Sequence, residues 1–382
     1  MHSELGSYRK MRVLFDHQIF DAQVHGGISR YFYELLKRFK VSGSEFLLGF
    51  TKTQNAYLLE EQSLGLGRSN SNFNRDPFSR GLRFIRRNLP RARRDAYLRN
   101  HSVELLDYDL FHPTYYDPYF LEKLKEKPFV LTVYDMIHET FPEQFASHDP
   151  VPSFKKQLAI KARRILAISN TTKQDLIRIL KLPEEKIVVT HLGVSVPVND
   201  VSGPRSGLLF VGKRGGYKNF DRMLRACAPV MKRYTDIILT CVGGDAFTEE
   251  ESTNIAGLGL TNRVIQIQAS EEQLTRFYDT SLLFIFPSMY EGFGLPLLEA
   301  FARGCPVAAA RAGSLPEVAG QAARFFDPAN EDEMTQVIFA LVDSSTARSD
   351  LVAKGYERVK EFSWDATSSL THQIYRSVVD SK

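Results

Sequence analysis

The segment Glu291-Gly-Phe-Gly-Leu-Pro-Leu-Leu-Glu299 decides how this sequence is interpreted. It follows Leu282-Leu-Phe-Ile-Phe286, an apolar and aromatic run that predicts a buried strand. The two glycines permit tight turns, and Pro296 suits the first turn of a helix. The segment therefore predicts a strand, a glycine turn and a helix that begins near Gly294 or Leu295.

The start of such a helix favours an anionic ligand, because its free N–H groups and its dipole point at the preceding loop. Glu291 lies in that loop, and Glu299 lies about one turn into the helix. Two solvated surface glutamates would be the ordinary interpretation. The alignment of this pair with the strand end, the glycines and the helix start favours a binding site for a phosphate ligand that also carries hydroxyl groups.

The same alternation of strand and helix extends through the rest of the chain. Short β-branched or aromatic runs predict strands, and amphipathic stretches lie between them. The predicted strands are residues 12–16, 109–111, 129–133, 164–168, 187–190, 208–211, 237–242, 264–267, 282–286 and 306–310. Strands that alternate with helices indicate parallel sheets covered on both faces, so the predicted fold class is α/β.

A segment rich in Gly, Pro and Ser interrupts this alternation before it restarts. We therefore predict two Rossmann-like, doubly wound domains: residues 1–195, a linker at 196–206, and residues 207–362. Ligands of doubly wound sheets bind beyond the carboxyl ends of the strands. Two such domains would face each other across a cleft.

Composition and charge narrow the function classes. The net charge is only +4, so we expect no nucleic-acid partner. Cys227, Cys241 and Cys305 match no zinc pattern and no disulfide framework. The N-terminus has no apolar signal segment, and no apolar run approaches 18 residues. We expect a cytoplasmic protein.

The loop Gly212-Lys-Arg-Gly-Gly-Tyr-Lys-Asn-Phe220 follows a predicted strand and contains three cations. Two adjacent glycines among Lys213, Arg214 and Lys218 fit a phosphate clamp, although a solvated loop fits this segment equally well. No Asp-x-Asp motif ends a predicted strand. The sequence therefore predicts no metal and no cofactor.

The nine-residue string from Glu291 to Glu299 resembles the signature of the retaining GT-B glycosyltransferases of family 4, also called glycosyl transferases group 1. The resemblance covers nearly the whole chain. It implies that Glu291 lies by the donor sugar and acts in catalysis, and that Glu299 bonds the nucleotide ribose. The backbone amides of Phe293, Gly294 and Leu295 would cradle the diphosphate.

The resemblance assigns roles to the basic loop and to the C-terminus as well. In the family, a basic residue just after the strand and a lysine several residues later neutralise the donor diphosphate. Lys218 matches the second position. Lys213 or Arg214 matches the first, and Arg214 is preferred for its planar fork of donors. The last helix, at residues 363–382, is expected to cross back onto the N-terminal domain.

The N-terminal half resembles the family at two places. Gly26 and Gly27, followed by Ile-Ser-Arg-Tyr, are similar to a loop that reaches across the cleft to the donor, in a version typical of bacterial polysaccharide and lipopolysaccharide enzymes, often mannosyltransferases. Many members carry a His-Asp pair near the sugar, where this chain has Tyr134-Asp135. Asp135 and His138 are the candidates for that catalytic contact, and a purely structural role is the alternative for each.

Residues 75–99 hold nine arginines and two aspartates. Apolar residues are interleaved with these arginines: Phe78, Leu82, Phe84, Ile85 and Leu89. The pattern favours an amphipathic helix that contacts anionic lipid headgroups or a lipid-diphosphate acceptor, with a solvated loop as the alternative. It predicts a peripheral position on the inner face of the membrane.

Together these features predict a metal-independent hexosyltransferase of surface polysaccharide synthesis. The expected donor is a GDP- or UDP-sugar, with GDP-mannose preferred, and the expected acceptor is a saccharide or a polyprenyl-linked saccharide. The alternatives are a nucleotide-sugar epimerase or phosphorylase of the same two-domain shape, and a non-catalytic nucleotide-sugar binder.

Overall fold

The structure is a computed structural model that describes residues 10–39, 44–60, 90–194 and 203–381. Within these residues every strand pairing is parallel, and helices separate successive strands along most of the chain. The predicted α/β class with two doubly wound halves is confirmed. We call the described part of residues 10–194 the N-terminal half and residues 203–359 the C-terminal half.

The N-terminal half contains two three-stranded sheets, with orders β2-β1-β3 and β4-β5-β6. A parallel bridge between Phe111 and Phe129 joins their neighbouring edges. The strands are β1 (Arg12–Phe15), β2 (Glu45–Leu48), β3 (Leu110–His112), β4 (Val130–Val133), β5 (Arg164–Ala167) and β6 (Ile187–Val189). The helices are α1 (Gln18–Ala22), α2 (Gly27–Phe39), α3 (Ala56–Glu60), α4 (Arg91–Leu105), α5 (Ile137–Thr140), α6 (Val151–Lys161) and α7 (Asn170–Leu180).

The C-terminal half contains one six-stranded sheet with the order β12-β11-β10-β7-β8-β9. Its strands are β7 (Ser206–Val211), β8 (Leu239–Val242), β9 (Val264–Ile267), β10 (Ser281–Phe286), β11 (Val307–Ala310) and β12 (Arg324–Phe326). Its helices are α8 (Phe220–Arg233), α9 (Glu249–Gly257), α10 (Glu271–Thr280), α11 (Leu295–Ala302), α12 (Leu315–Ala319), α13 (Glu331–Asp343) and α14 (Ser345–Val359). The predicted linker at 196–206 lies largely outside the described residues, and its last residue, Ser206, belongs to β7.

The strand order of the C-terminal half determines where a ligand can bind. From β7 the chain first moves outward to β8 and β9, and then returns to β10 on the other side of β7. The carboxyl ends of β7 and β10 therefore form the switch point at which doubly wound sheets open a crevice. The loops that follow these two strands are 212–219 and 287–294, which are the two segments that the sequence marks for phosphate binding.

Apolar strands form the cores of both halves. All four residues of β4 and all four of β11 are buried, as expected for central strands covered on both faces. Ser169 caps α7, because its hydroxyl accepts a hydrogen bond from the backbone N–H of Thr172.

The last helix, α15 (Trp364–Asp380), packs on the N-terminal half. Its Tyr375 hydroxyl lies 2.5 Å from Nδ1 of the buried His112 in β3. Its Thr367 hydroxyl donates to the carbonyl oxygen of His191 at 2.7 Å. The helix therefore connects the two halves by a second route.

Candidate active site

The two loops at the switch point contact each other directly. The backbone N–H of Met289 donates to the carbonyl oxygen of Tyr217 at 2.7 Å, and the Asn219 side chain donates to the carbonyl oxygen of Pro287 at 3.1 Å. These bonds hold the basic loop after β7 against the carboxylate loop after β10. The sequence-predicted phosphate clamp and the Glu291–Glu299 segment therefore form one site.

Lys218 and Glu291 form an ion pair inside this site. Nζ of Lys218 lies 2.6 Å from Oε1 of Glu291, and the side chains are only 19% and 12% exposed. Burial lowers the pKa of Lys218, but the attraction of Glu291, together with that of Tyr217 and Asp135, outweighs burial and the pKa is raised overall. Lys218 is therefore cationic at neutral pH, beside the carboxylate expected near the donor sugar.

Helix α11 begins at Leu295, where the sequence predicted it. Its N-cap, Gly294, has φ = 100°, a left-handed conformation that glycine adopts without strain, and no side chain caps the helix. Within the described part of the chain, no hydrogen bond of the fold uses the backbone N–H of Phe293, Gly294 or Leu295. Three donors and the positive end of a helix dipole are therefore available to an anion.

Glu299 lies one turn into α11, and both oxygens of its carboxylate accept hydrogen bonds from other side chains. Oε1 accepts a hydrogen bond from Nη1 of Arg30 at 2.9 Å, and Oε2 accepts one from the hydroxyl of Tyr278 at 3.3 Å. Burial raises the pKa of Glu299, and the opposing effect of Arg30 is smaller. Arg30 belongs to the N-terminal half, so this ion pair crosses between the halves.

Gly26 and Gly27 lie opposite the start of α11. Helix α2 begins at Gly27, and a Cβ atom placed there would be 3.6 Å from Cδ1 of Leu295. A Cβ atom on Gly26 would overlap the side chain of Gln23, which accepts a hydrogen bond from the backbone N–H of Ser29. The starts of two helices from different halves therefore face each other.

The loop after β4 forms the other part of the facing wall. A Cβ atom on Gly292 would lie 1.8 Å from the carbonyl oxygen of Tyr134 and 3.0 Å from Cβ of Asp135. Asp135 is thus brought next to the Glu291 loop. We define the cleft by these two walls: Gly26–Gly27 and Tyr134–Asp135 on one side, and Glu291–Leu295 on the other.

Two buried side chains, those of Tyr134 and Lys155, lie at the Tyr134–Asp135 side of the cleft. The Tyr134 side chain is buried, and its hydroxyl has no hydrogen-bond partner among the described residues. Lys155 is fully buried, donates to the carbonyl oxygen of Asp135 at 3.0 Å and pairs with Glu139 at 2.9 Å. A lone lysine within a helix carries no sequence signal for this role, so the sequence did not predict it.

Among the described residues, His138 pairs with Asp149 and not with Glu291. Its Nε2 lies 3.4 Å from Asp149, and its ring stacks on Phe145 with centroids 3.9 Å apart. Burial lowers its pKa, and the nearby Lys155 ammonium adds to that shift. Of the two candidates after β4, the structure brings Asp135, and not His138, against the Glu291 loop.

The preference for Arg214 over Lys213 as the phosphate clamp does not fit the structure. Arg214 is 5% exposed, pairs with Glu251 at 2.8 Å, and donates to the carbonyl oxygens of Gly243, Asp245 and Ala246. Its fork of donors is therefore used to join the loops that follow β7 and β8. The side chain of Lys213 is exposed and remains the candidate for the first basic position.

Further contacts across the cleft were missed by sequence analysis. The hydroxyl of Tyr290 donates to Asp175 in α7 at 2.6 Å. Glu317 in α12 accepts hydrogen bonds from the backbone N–H groups of Asn170 at 2.8 Å and Thr171 at 3.0 Å, and so caps the N-terminus of α7 from the other half. The partners are far apart in the sequence, so spacing gives no signal for them.

Two family models match the chain on either side of the linker. Residues 25–196 match Glycosyltransferase Family 4, and residues 198–358 match Glycosyl transferases group 1. The chain belongs to these glycosyltransferases. It is an enzyme that transfers sugar, which decides against the epimerase and non-catalytic alternatives.

Curated relatives include enzymes that transfer mannose. The chain is 28% identical to the O-antigen chain mannosyltransferase B of Escherichia coli, over 92% of this chain and 96% of that protein. It is 30% identical to the MMP alpha-(1->4)-mannosyltransferase of Mycolicibacterium hassiacum, over 59% of this glycosyltransferase and 56% of that protein.

Solved structures of similar fold cover almost all of this glycosyltransferase. A glycosyltransferase from Rickettsia africae superimposes with a TM-score of 0.68 at 20% identity, covering 98% of this chain and 100% of that chain. Anabaena HepE, in complex with UDP and glucose, superimposes with a TM-score of 0.70 at 16% identity, covering 96% and 100%. The GT-B architecture is thereby confirmed.

The described residues do not test the predicted membrane contact or the predicted independence from metal. Residues 75–89 lie outside the described residues, and in α4 Arg99 is engaged by Asp95 and Asp21. No helix in the described ranges is long and apolar enough to cross a membrane. Among residues 10–39, 44–60, 90–194 and 203–381, no three acidic, histidine or cysteine side chains group as metal ligands. Metal independence and membrane contact remain predictions.

Proposed function

We propose that this glycosyltransferase moves mannose from GDP-mannose to a saccharide or lipid-linked saccharide, with retention of anomeric configuration. One observation carries the assignment of the donor site: Lys218, Glu291 and the uncapped start of α11 converge at the switch point, opposite Gly27 and Asp135. Cationic and dipolar groups fit a diphosphate there, and carboxylates fit sugar and ribose hydroxyls.

The choice of mannose is supported by the relatives. The Escherichia coli protein aligned along almost its whole length is described as an O-antigen chain mannosyltransferase, and the Mycolicibacterium protein is also a mannosyltransferase. HepE was solved with UDP and glucose, which makes a UDP-hexose the second donor to test.

The groups on the C-terminal wall would stabilise the leaving diphosphate. In the proposed step, the bond between the anomeric carbon and the diphosphate oxygen breaks, and its electron pair stays on that oxygen. The acceptor hydroxyl oxygen bonds the anomeric carbon on the same face, and its proton passes to the leaving phosphate oxygen. Lys218 and the amides at the start of α11 meet the developing negative charge in a site that is already organised.

Glu291 and Asp135 would hold the sugar between the walls. Both are carboxylates on loops that touch through Gly292, so hydroxyl groups of one hexose can be bonded from both sides. Positioning of this kind lowers the barrier because the donor and the acceptor no longer lose orientational freedom at the reacting step. No metal is required by this proposal.

A donor panel tests the proposal. Purified protein is incubated with GDP-mannose, UDP-glucose, UDP-galactose and UDP-N-acetylglucosamine, each with mannose-containing oligosaccharides, and both released nucleotide and product are measured. We expect transfer from GDP-mannose, with an axial linkage in the product by NMR. Transfer only from UDP-sugars would reject mannose, and an equatorial linkage would reject retention.

We also propose that the acceptor is reached at a membrane surface through residues 75–99. Sedimentation with vesicles of phosphatidylglycerol and phosphatidylcholine tests this. We expect binding that is lost when four arginines are replaced by alanine: Arg86, Arg87, Arg93 and Arg94. Unchanged binding of that variant would reject the membrane proposal and leave the sugar-transfer proposal intact.

A further inference from the structure

Arg30 occupies the carboxylate that the donor ribose would need. Its guanidinium lies 2.9 Å from Oε1 of Glu299, while Tyr278 donates to Oε2. The side chains of Arg30 and Glu299 are 22% and 21% exposed, so the pair is largely shielded from water. Both carboxylate oxygens of Glu299 therefore already have a partner within the protein.

The ion pair also lies close to the expected diphosphate position. Arg30 is three residues after the start of α2 at Gly27, and Glu299 is four residues after the start of α11 at Leu295. At about 1.5 Å of rise per residue, each partner is roughly 5 Å along its helix from the point where the two helix starts meet. A rotation of the long Arg30 side chain can carry its guanidinium over that distance.

A nucleoside alone would enter this site at a cost. Its ribose hydroxyls can bond the Glu299 carboxylate only if Arg30 moves away from that carboxylate or shares it with the ribose. A shielded guanidinium that loses its carboxylate and gains no other anion is strongly unfavourable. Glu271 is within electrostatic reach of Arg30, but it already accepts a hydrogen bond from Tyr57. A diphosphate at the start of α11 would supply the replacement anion.

We propose that Arg30 makes the donor site selective for nucleoside diphosphates over nucleosides. Its guanidinium leaves the Glu299 carboxylate only when it can bond a diphosphate instead. This inference rests on the proposed function, in which α11 binds the diphosphate and Glu299 the ribose. Arginine suits the exchange, since its planar fork bonds a carboxylate and a phosphate with the same geometry.

The exchange would also couple donor binding to the N-terminal half. Arg30 is on α2, next to the Gly26–Gly27 loop, so a diphosphate bound to both Arg30 and α11 would hold the two walls of the cleft together. Release of the nucleoside diphosphate after transfer would return Arg30 to Glu299.

Calorimetric titration of the full-length protein tests the proposal. The ligands are GDP and guanosine, with UDP and uridine in parallel, and the proteins are the wild type, Arg30→Gln and Arg30→Lys. In Arg30→Gln we expect the diphosphate to bind at least 10-fold more weakly and the nucleoside to bind equally or more tightly. Arg30→Lys keeps the charge and should retain part of the preference for the diphosphate.

Two matched variants control for indirect effects. Lys37→Gln removes another cation of α2, an exposed one whose ammonium lies over the ring of Tyr33. Glu317→Gln weakens a different set of hydrogen bonds between the halves, those from the backbone N–H groups of Asn170 and Thr171. Both should keep the wild-type ratio of nucleoside to diphosphate dissociation constants, and all variants should melt cooperatively.

The possible failures are distinguishable. A diphosphate and a nucleoside weakened by the same factor in Arg30→Gln would mean that Arg30 only positions Glu299, and would overturn the inference. If Arg30→Gln does not fold, Arg30→Lys decides. A wild-type ratio of nucleoside to diphosphate dissociation constants in Arg30→Lys would then overturn the inference. A wild-type protein that binds neither GDP nor UDP would overturn the proposed function together with the inference.

Discussion

Gly292 of the C-terminal half lies so close to the carbonyl oxygen of Tyr134 in the N-terminal half that a Cβ atom there would be 1.8 Å from it. The contact joins backbone to backbone, so no side-chain rotation can relieve an overlap. It fixes the distance between the Glu291 loop and Asp135. The two walls of the cleft can meet in this way only because residue 292 is glycine.

Replacement of Gly292 by alanine should therefore separate the walls. We expect Gly292→Ala to lower kcat/KM by about 10-fold or more, since small displacements of positioning groups are costly for catalysis. Steady-state transfer assays measure this. Gly257→Ala is the control, because a Cβ atom on Gly257 meets nothing within 4 Å. Full activity in Gly292→Ala would show that the contact is not needed during turnover.

Lys218 is expected to be the main cation for the leaving diphosphate. Lys218→Met should reduce kcat/KM by about 100-fold, because it removes a charge-assisted contact and leaves Glu291 without its partner 2.6 Å away. Lys213→Met, in the exposed neighbouring position, should have a smaller effect. Equal losses in both variants, or a larger loss for Lys213, would reverse the assignment.

Arg214 should prove to be structural. Arg214→Met removes the donor to Glu251 and to three carbonyl oxygens. We therefore expect the free energy of unfolding to fall by about 2–4 kcal/mol. Urea denaturation measures the loss of stability, and donor titration of the folded fraction should give a nearly unchanged Kd. A normal stability with a greatly weakened Kd would restore the phosphate role that the sequence suggested.

Features that depend on neighbouring residues could be predicted from the sequence, whereas the different roles of Arg214 and Lys218 depend on distant contacts. Apolar strand runs and the start of α11 depend on neighbours in the chain, and these were predicted correctly. Strands β2 (Glu45–Leu48) and β12 (Arg324–Phe326) were missed, because short and partly exposed runs lack a clear period.

Contacts between distant residues could not be predicted in the same way. Arg30 and Glu299 are 269 positions apart, and no spacing rule connects them. The fork geometry that favours phosphate binding by arginine equally favours carboxylates and carbonyl oxygens. For Arg214 the fold supplied the carboxylate of Glu251, and only the three-dimensional arrangement reveals that choice.

Glu317 should make the association of the two halves sensitive to acid. Burial raises its pKa, but hydrogen bonds from His191 and from the amides of Asn170 and Thr171 outweigh burial, and the pKa is lowered overall. A lowered folded-state pKa contributes stability above the ordinary glutamate value, and this stability is lost as pH falls through the folded-state pKa.

We therefore expect Glu317→Gln to be less stable than the wild type by roughly 1 kcal/mol at pH 7, with the difference shrinking below about pH 4. Urea denaturation at both pH values measures it, and Glu361→Gln, on an exposed side chain paired with Arg358, is the control. A difference that grows on acidification would contradict the direction of this pKa shift.

We propose that one site holds the donor, with Glu291 at the sugar and Glu299 at the ribose. Initial-rate kinetics of Glu291→Gln and Glu299→Gln with GDP-mannose test it most directly. We expect Glu291→Gln to lower kcat by about 100-fold or more, and Glu299→Gln mainly to raise the donor KM, by about 10-fold. Small and equal effects of the two substitutions on kcat and KM would contradict it.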